Sequence, residues 1–340
     1  MLRTERVVDN LNGALHALFA DDPRLFLLGE DVLDPYGGAF KVTAGLSTKY
    51  PDRVLSTPIS ESGIVGVANG LALTGNRAIV EIMFGDFAAL CFDQILNVSA
   101  KSVSMYGRRL DVPLVVRCPM GGNRGYGPTH SQSLQKHFIG IPDLLLHELS
   151  PLHDSLTVLR RVLDGGRPCM FFENKPVYGE RALAPGAIDD LFGYRFADED
   201  RNWARVAAEG GAGTVLLITT GGMVSRALEA ARTLLLEDEI DVTVMVPSQL
   251  YPFLPQPLLT EVARAEHVLV AEESTSGGTW GSEVALRLGE VCWDRLKHPV
   301  GTIHSRDSII PAARHLERQV VVQAQDIVDG IRGRVAACTS

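Results

Sequence analysis

Thr57-Pro58-Ile59-Ser60-Glu61-Ser62-Gly63-Ile64-Val65-Gly66-Val67-Ala68-Asn69-Gly70-Leu71 carries the densest pattern in the chain. It predicts a helix with a carboxylate, Glu61, at its start and with Gly63, Gly66, Ala68 and Gly70 spread over its faces. Glycine lowers helix propensity, so a helix that keeps three of them wants a packing reason, and close approach of a second helix supplies one. Glu61 taken locally has two readings. It complements the helix dipole in the first turn, or it does chemistry there.

Around this stretch, apolar runs of strand length alternate with helical periodicity. Val7, Val8, Leu11, Leu15 and Leu18 recur at helical spacing and open the chain with an amphipathic helix. Strands are expected at 25–28, 78–83, 114–116, 144–146 and 170–172, with helices near 87–104, 130–138 and 154–163. That alternation is the signature of βα units on a mainly parallel sheet. Between 178 and 213 the character changes, through Pro185, the acidic Asp198-Glu199-Asp200 and the glycine-rich Gly210-Gly211-Ala212-Gly213, which predicts a linker over 186–213. A second set follows, with strands at 215–219, 242–246, 268–271 and 300–304 and helices at 223–236, 256–265 and 281–289. The fold class is therefore α/β: two Rossmann-like domains in series, 1–185 and 214–340. Neither a short repeat nor a low-complexity tract interrupts them.

Length and composition agree, since 340 residues suit about two domains of ~100–200 residues each. Apolar residues at 46% and charged residues at 21% point away from disorder and from a membrane protein. The formal charge of -9 disfavours nucleic acid and anionic membrane as partners. Cys91, Cys118, Cys169, Cys292 and Cys338 form no CxxC and no Cys/His cluster, so reduced thiols in a cytosol are expected and structural zinc is not. Charged residues among the first twenty, Arg3, Glu5, Arg6 and Asp9, fit neither a signal peptide nor an acid-free transit peptide. With no run near ~18 apolar residues, the expected location is the cytoplasm.

His130 follows the run Gly121-Gly122-Asn123-Arg124-Gly125-Tyr126-Gly127-Pro128-Thr129, too rich in glycine for a regular element and too long for a plain turn. It reads as an ordered functional loop. A histidine there is able to hand over or take up a proton near neutrality.

Glu61, four residues, Gly66-Val67, two residues and Gly70-Leu71 resemble the motif of the pyrimidine-binding domain in thiamine-diphosphate enzymes. The segments 28–32, 57–61, 81–87 with Phe92-Asp93-Gln94, 129–133, 168–173 and 272–283 together resemble the beta subunits of pyruvate and branched-chain 2-oxo acid dehydrogenases. The likeness covers nearly the whole chain, and it names the halves: a pyrimidine-binding domain and a transketolase C-terminal-like domain. It implies that Glu61 hydrogen-bonds a ring nitrogen of the cofactor's aminopyrimidine, whose amino group then serves as the base that activates the thiazolium. Burial of a carboxyl in an apolar pocket favours the protonated, donating form that such a role needs. Ile59, Met83 and Phe87 would line the pyrimidine with Glu30 as polar neighbour, and His130 would act on substrate or acceptor.

The family's metal motif, Gly-Asp-Gly with a later asparagine, is absent; Gly85-Asp86-Phe87 is the only Gly-Asp here. Magnesium and the diphosphate would then be held by a separate alpha subunit, and this chain would carry no metal ligands. A potassium ion is a further candidate, near 112–115 and 164–167 as in relatives, although Gly165 and Arg167 stand where polar residues are expected. The implied assembly is α2β2, with the second domain mainly joining subunits. The implied reaction is oxidative decarboxylation of a 2-oxo acid with acyl transfer to a lipoyl-bearing acyltransferase. Alternatives are a split transketolase, an acyloin enzyme or a carrier-protein-linked two-carbon transferase, and a non-catalytic scaffold. Asn123, Arg124, Tyr126 and Pro128 make the loop bulkier and more basic than in pyruvate-specific members, which leaves the substrate open.

Overall fold

The computed structural model describes residues 5–211 and 213–337. After α1 (Val7–Asp21) the first half runs β1 (Leu25–Gly29), α2 (Leu46–Lys49), β2 (Val54–Ser56), α3 (Glu61–Leu73), β3 (Arg77–Glu81), α4 (Ala100–Ser102), β4 (Leu114–Met120), β5 (Leu145–Glu148), α5 (Ser155–Asp164) and β6 (Cys169–Asn174). The second half runs β7 (Gly186–Ala187), β8 (Phe192–Phe196), β9 (Trp203–Ala208), β10 (Val215–Thr219), α6 (Val224–Asp238), β11 (Val242–Pro247), β12 (Gln249–Tyr251), α7 (Leu259–Arg264), β13 (His267–Thr275), α8 (Trp280–Cys292), β14 (Gly301–Ser305), α9 (Arg314–Val320) and α10 (Ala324–Ala337).

Two seven-stranded sheets result. The first has the order β12-β5-β6-β4-β3-β1-β2 and is parallel except for β12. Its central strands are buried along their length, as continuous apolar runs covered on both faces must be. Leu11, Leu15 and Leu18 of α1 pack with Val158, Leu159 and Val162 of α5 on one face. On the other face α3 contributes Ile64, Val65 and Ala68 to an apolar cluster that also takes in Trp203, Leu250 and Trp280 of the second half. The two halves therefore share a core, and β12 completes the first sheet with residues of the second half.

The second sheet has the order β14-β13-β10-β11-β9-β8-β7, parallel from β14 to β11 and antiparallel from β9 to β7. Here the expected linker is corrected. Most of 186–208 is strand, with Phe192, Tyr194, Trp203 and Val206 pointing into the core, and Asp198 capping the turn by accepting from the Asn202 and Trp203 N–H groups. Two other expectations change as well. The helix near 87–104 is an irregular succession, a 3₁₀ stretch over Gly85–Cys91, a π turn over Gln94–Ser99 and then α4, because Asn69 of α3 bonds both Ser99 Oγ and the Gln94 carbonyl. The helix at 130–138 shrinks to one 3₁₀ turn, Gln135–His137, since the polar groups ahead of it are bonded elsewhere. Cys91, Cys118, Cys169 and Cys292 are buried and unpaired, and Cys338 lies outside the described residues. Among the described residues no helix is long and apolar enough to cross a membrane.

Candidate active site

In a parallel sheet, ligands bind beyond the carboxyl ends of the strands, where the strand order reverses. That reversal lies at β1, which has β2 on one side and β3 on the other. Glu30 follows β1, Ile59 and Glu61 follow β2, Met83 and Phe87 follow β3, and the loop to His130 follows β4. The chain topology thus gathers every sequence-predicted site residue at one end of one sheet.

Glu61 is only 6% exposed, and among the described residues no hydrogen bond or ion pair reaches its carboxyl. The little of Glu61 that is exposed therefore includes its carboxyl, which opens to the end of the sheet with its hydrogen-bonding capacity unused by the described residues. Glu30 is half-buried, and burial, then the charge of Glu61, then that of Asp31, hold its carboxyl above its ordinary pKa. Ile59 is 82% exposed, and Met83 and Phe87 are partly exposed. Two neighbouring carboxyls and three apolar side chains thus share one sheet end, a set that fits a flat heteroaromatic ring with a polar edge. α3 turns Val67 and Gly70 outward, and a side chain at Gly70 would meet nothing of this chain within 4 Å. Its glycine is thus not required by the packing of this chain.

His130 is half-buried against two aromatic edges, its ring centroid 4.7 Å from Phe84 and 5.3 Å from Phe87, both nearly perpendicular. Its Nδ1 lies 3.0 Å from Thr129 Oγ1. Phe84 also meets Phe40 and Tyr126 edge to face, and so forms the hub of the cluster. The His130 loop is tied down at several points. Gln132 Nε2 donates to Asp86 Oδ1 at 2.8 Å, and the Gly125 N–H donates to Glu317 Oε2 at 2.9 Å. Glu273 Oε1 accepts from the Gly122 N–H at 2.7 Å and from Ser133 Oγ at 3.1 Å, while Arg226 Nη2 donates to Glu273 Oε2 at 2.6 Å. Burial works against the Glu273 carboxylate, but Arg226 and these donors outweigh it and hold its pKa below the ordinary value. Gly121 has φ +86° and sits against the Asn174 amide, so neither the conformation nor the space suits a side chain. His137 stands apart on a cleft of about 560 Å³ between this loop and the second domain.

Glu273 and Glu317 belong to the second domain, which therefore helps to hold the His130 loop of the first. Sequence reasoning also passed over a charged layer beneath the site. Arg117, fully buried in β4, donates from Nη1 to Glu81 Oε2 at 2.5 Å and from Nε and Nη2 to the two oxygens of Glu173 at 2.7 and 2.8 Å. The Tyr178 hydroxyl donates to the same Glu173. Charged residues inside otherwise apolar strands were the signal available for this layer. Lys175, one residue beyond β6, is likewise fully buried.

Residues 6–180 match the transketolase pyrimidine-binding domain family, and residues 205–327 match the transketolase C-terminal domain family. The chain is 33% identical to the pyruvate dehydrogenase E1 component subunit beta-2, mitochondrial, of Oryza sativa subsp. japonica, over 95% of this chain and 84% of that protein. It is 31% identical to the acetoin:2,6-dichlorophenolindophenol oxidoreductase subunit beta of Bacillus subtilis (strain 168), over 96% of each. A solved structure described as a split gene transketolase, inactive beta4 tetramer, superposes with a TM-score of 0.71 at 20% identity, covering 96% of this chain and 97% of that one, which speaks for the fold alone. The rice protein is named mitochondrial, so the cytoplasmic location remains an expectation from composition. With both domains matched in order and relatives above 30% identity along nearly its whole length, the chain belongs to the transketolase-type family that includes the pyruvate dehydrogenase E1 and acetoin oxidoreductase beta subunits.

Proposed function

We propose that this chain is the beta-type subunit of a thiamine-diphosphate-dependent 2-oxo acid dehydrogenase and supplies the pyrimidine-binding half of its active site. The observation that carries the reading is Glu61, 6% exposed and with no hydrogen-bond or ion-pair partner among the described residues, at the same sheet end as the partly or largely exposed Ile59, Met83 and Phe87. Bound there, thiamine diphosphate supplies a nucleophilic carbon able to cleave the bond beside a keto group. Glu61 holds a proton or a hydrogen bond opposite a pyrimidine ring nitrogen, and Glu30 neighbours it. Ile59, Met83 and Phe87 contact the ring and keep water from it. His130, held between Phe84 and Phe87, presents Nε2 for proton transfer to substrate or acceptor, its Nδ1 being occupied by Thr129.

The diphosphate and magnesium fall to an alpha-type partner in an α2β2 assembly. Two features support this: Asp86, of the only Gly-Asp pair, already accepts from Gln132, and the outward glycine face of α3 leaves room for a partner's backbone. Potassium fits less well, because the Gly166 carbonyl already accepts from the Val112 N–H at 2.8 Å, and Arg77 brings its own cation to that crevice by pairing with Asp164. A lipoyl-bearing acyltransferase is the proposed acyl acceptor. Acyloin cleavage is the second reading, favoured by the identity to the acetoin oxidoreductase subunit. The test uses the reconstituted complex: Glu61→Gln preserves shape and assembly and should lower kcat about 10²–10⁴-fold with 2-oxo acids or acyloins. Turnover within a few-fold of wild type would remove Glu61 from the chemistry.

A further inference from the structure

The structure assigns a positioning role to Lys175: its buried ammonium grips the backbone carbonyl of His130 and so fixes where the imidazole sits. This rests on the catalytic reading of His130. Lys175 is 0% exposed, and its Nζ donates to the His130 carbonyl at 2.9 Å across 45 residues of sequence. Among the described residues, no carboxylate comes within ion-pair distance of that nitrogen. A buried ammonium with a carbonyl but no counter-ion is an expensive arrangement. A neutral or apolar side chain of the same length would fill the space more cheaply, so filling space does not account for a lysine. Nor does substrate binding, because the nitrogen is closed off by the His130 carbonyl and by Phe84 and Tyr126, whose ring centroids lie 5.7 and 5.9 Å away.

The two aromatic rings connect the lysine to the histidine a second time. Phe84 meets the His130 ring and Tyr126 meets Phe84, so the ammonium lies behind the same hub that cradles the imidazole. Arg124 braces the other end of the lysine by donating to its backbone carbonyl at 3.2 Å. The charged groups around Nζ come from several elements: Asp86 after β3, Arg124 on the loop, Glu273 of β13 and Glu317 of α9. Burial lowers the pKa of Lys175 to about 8; Asp86 and Glu273 oppose that, Arg124 adds to it, and Glu317 opposes it. The lysine is thus charged at neutrality and loses its proton just above it, and a neutral amine grips a carbonyl less firmly.

The experiment compares Lys175→Met, Lys175→Arg and His130→Ala in the complex reconstituted with its alpha-type partner. Lys175→Met should lower kcat about 10–100-fold, the scale of a misplaced catalytic group, with little change in KM or in thiamine diphosphate affinity. The wild-type kcat profile should fall above pH 8. Lys175→Arg keeps a charge that does not titrate and should hold its rate to pH 9.5. A Lys175→Met enzyme at the wild-type rate beside an inactive His130→Ala enzyme overturns the inference, as does an alkaline fall near pH 8 that persists in Lys175→Arg. If Lys175→Met does not fold, the Lys175→Arg profile decides. A fully active His130→Ala enzyme would instead overturn the reading of His130 on which this one stands.

Discussion

Removing the guanidinium of Arg117 isolates what the charged layer beneath the site contributes. Arg117→Met keeps most of the volume but leaves Glu81 and Glu173, both at most 3% exposed, without their cation. Breaking a buried pair in this way costs about 3–5 kcal/mol. For a domain of this size each kcal/mol is worth about 2–4 °C, so a fall of roughly 6–20 °C in Tm is expected at pH 8. Burial already holds the Glu81 carboxyl above its ordinary pKa, and without Arg117 it rises further. A group with a raised folded pKa contributes stability below its unfolded value and loses it as pH climbs, so the deficit should be smaller at pH 5 than at pH 8. The further variant Arg117→Met/Glu81→Gln/Glu173→Gln removes the charges together and should recover much of the loss. Scanning fluorimetry with urea unfolding at both pH values reads this out. A single variant less than about 1 kcal/mol less stable at pH 8, or a triple variant no better than the single, refutes the assignment of the cost to unpaired charge.

His147 and His153 are buried with pKa values lowered to about 3 and about 4, mainly by burial, so unfolding lets both take up protons below pH 6.5. Glu148, raised to about 7 by burial, works the other way between 4.5 and 7. Together these three groups take up well under one proton on unfolding at pH 6.5 and about one at pH 5, so their share of the unfolding free energy should fall over that range by about 1 kcal/mol; His147→Gln/His153→Gln should flatten the urea-derived profile there, and an unchanged slope would count against buried neutral histidines. The isolated chain, whose sequence has no Gly-Asp-Gly motif, should show weak or no binding of thiamine diphosphate with magnesium by calorimetry, with binding restored by the alpha-type partner. Tight binding by the chain alone would reveal a diphosphate site within it.

What could be read from the sequence was local. The strands 25–28, 114–116 and 170–172 announce themselves because buried parallel strands are continuous apolar runs, and Glu61 announces itself because a carboxylate and its glycines sit within ten residues on one helix. The edge of the second sheet was missed because the polar turn Asp198–Arg201 and the acidic cluster hide the alternation of Phe192, Tyr194, Trp203 and Val206. The helix expected at 130–138 failed for a different reason. Its polar residues find partners across the fold, Ser133 on Glu273 and Gln135 on Glu148, and local periodicity carries no trace of that competition.

The same distance hides the parts of the site that hold His130. Gly122 meets Glu273 across 151 residues and Gly125 meets Glu317 across 192. A glycine-rich loop left alone would sample many conformations, and ordering it costs about 1–2 kcal/mol per residue. Charge-assisted acceptors offset part of that cost, each bond to a carboxylate being worth about twice a neutral one. Glu273 in turn is held by Arg226 from the start of α6, so the loop's geometry depends on how the second domain packs on the first. A domain whose role was only to join subunits would have no reason to aim two buried carboxylates into the other domain's loop. Its packing reaches the His130 loop through the backbone N–H groups of Gly122 and Gly125, and the φ of +73° at Gly125 is a conformation that glycine adopts without steric cost.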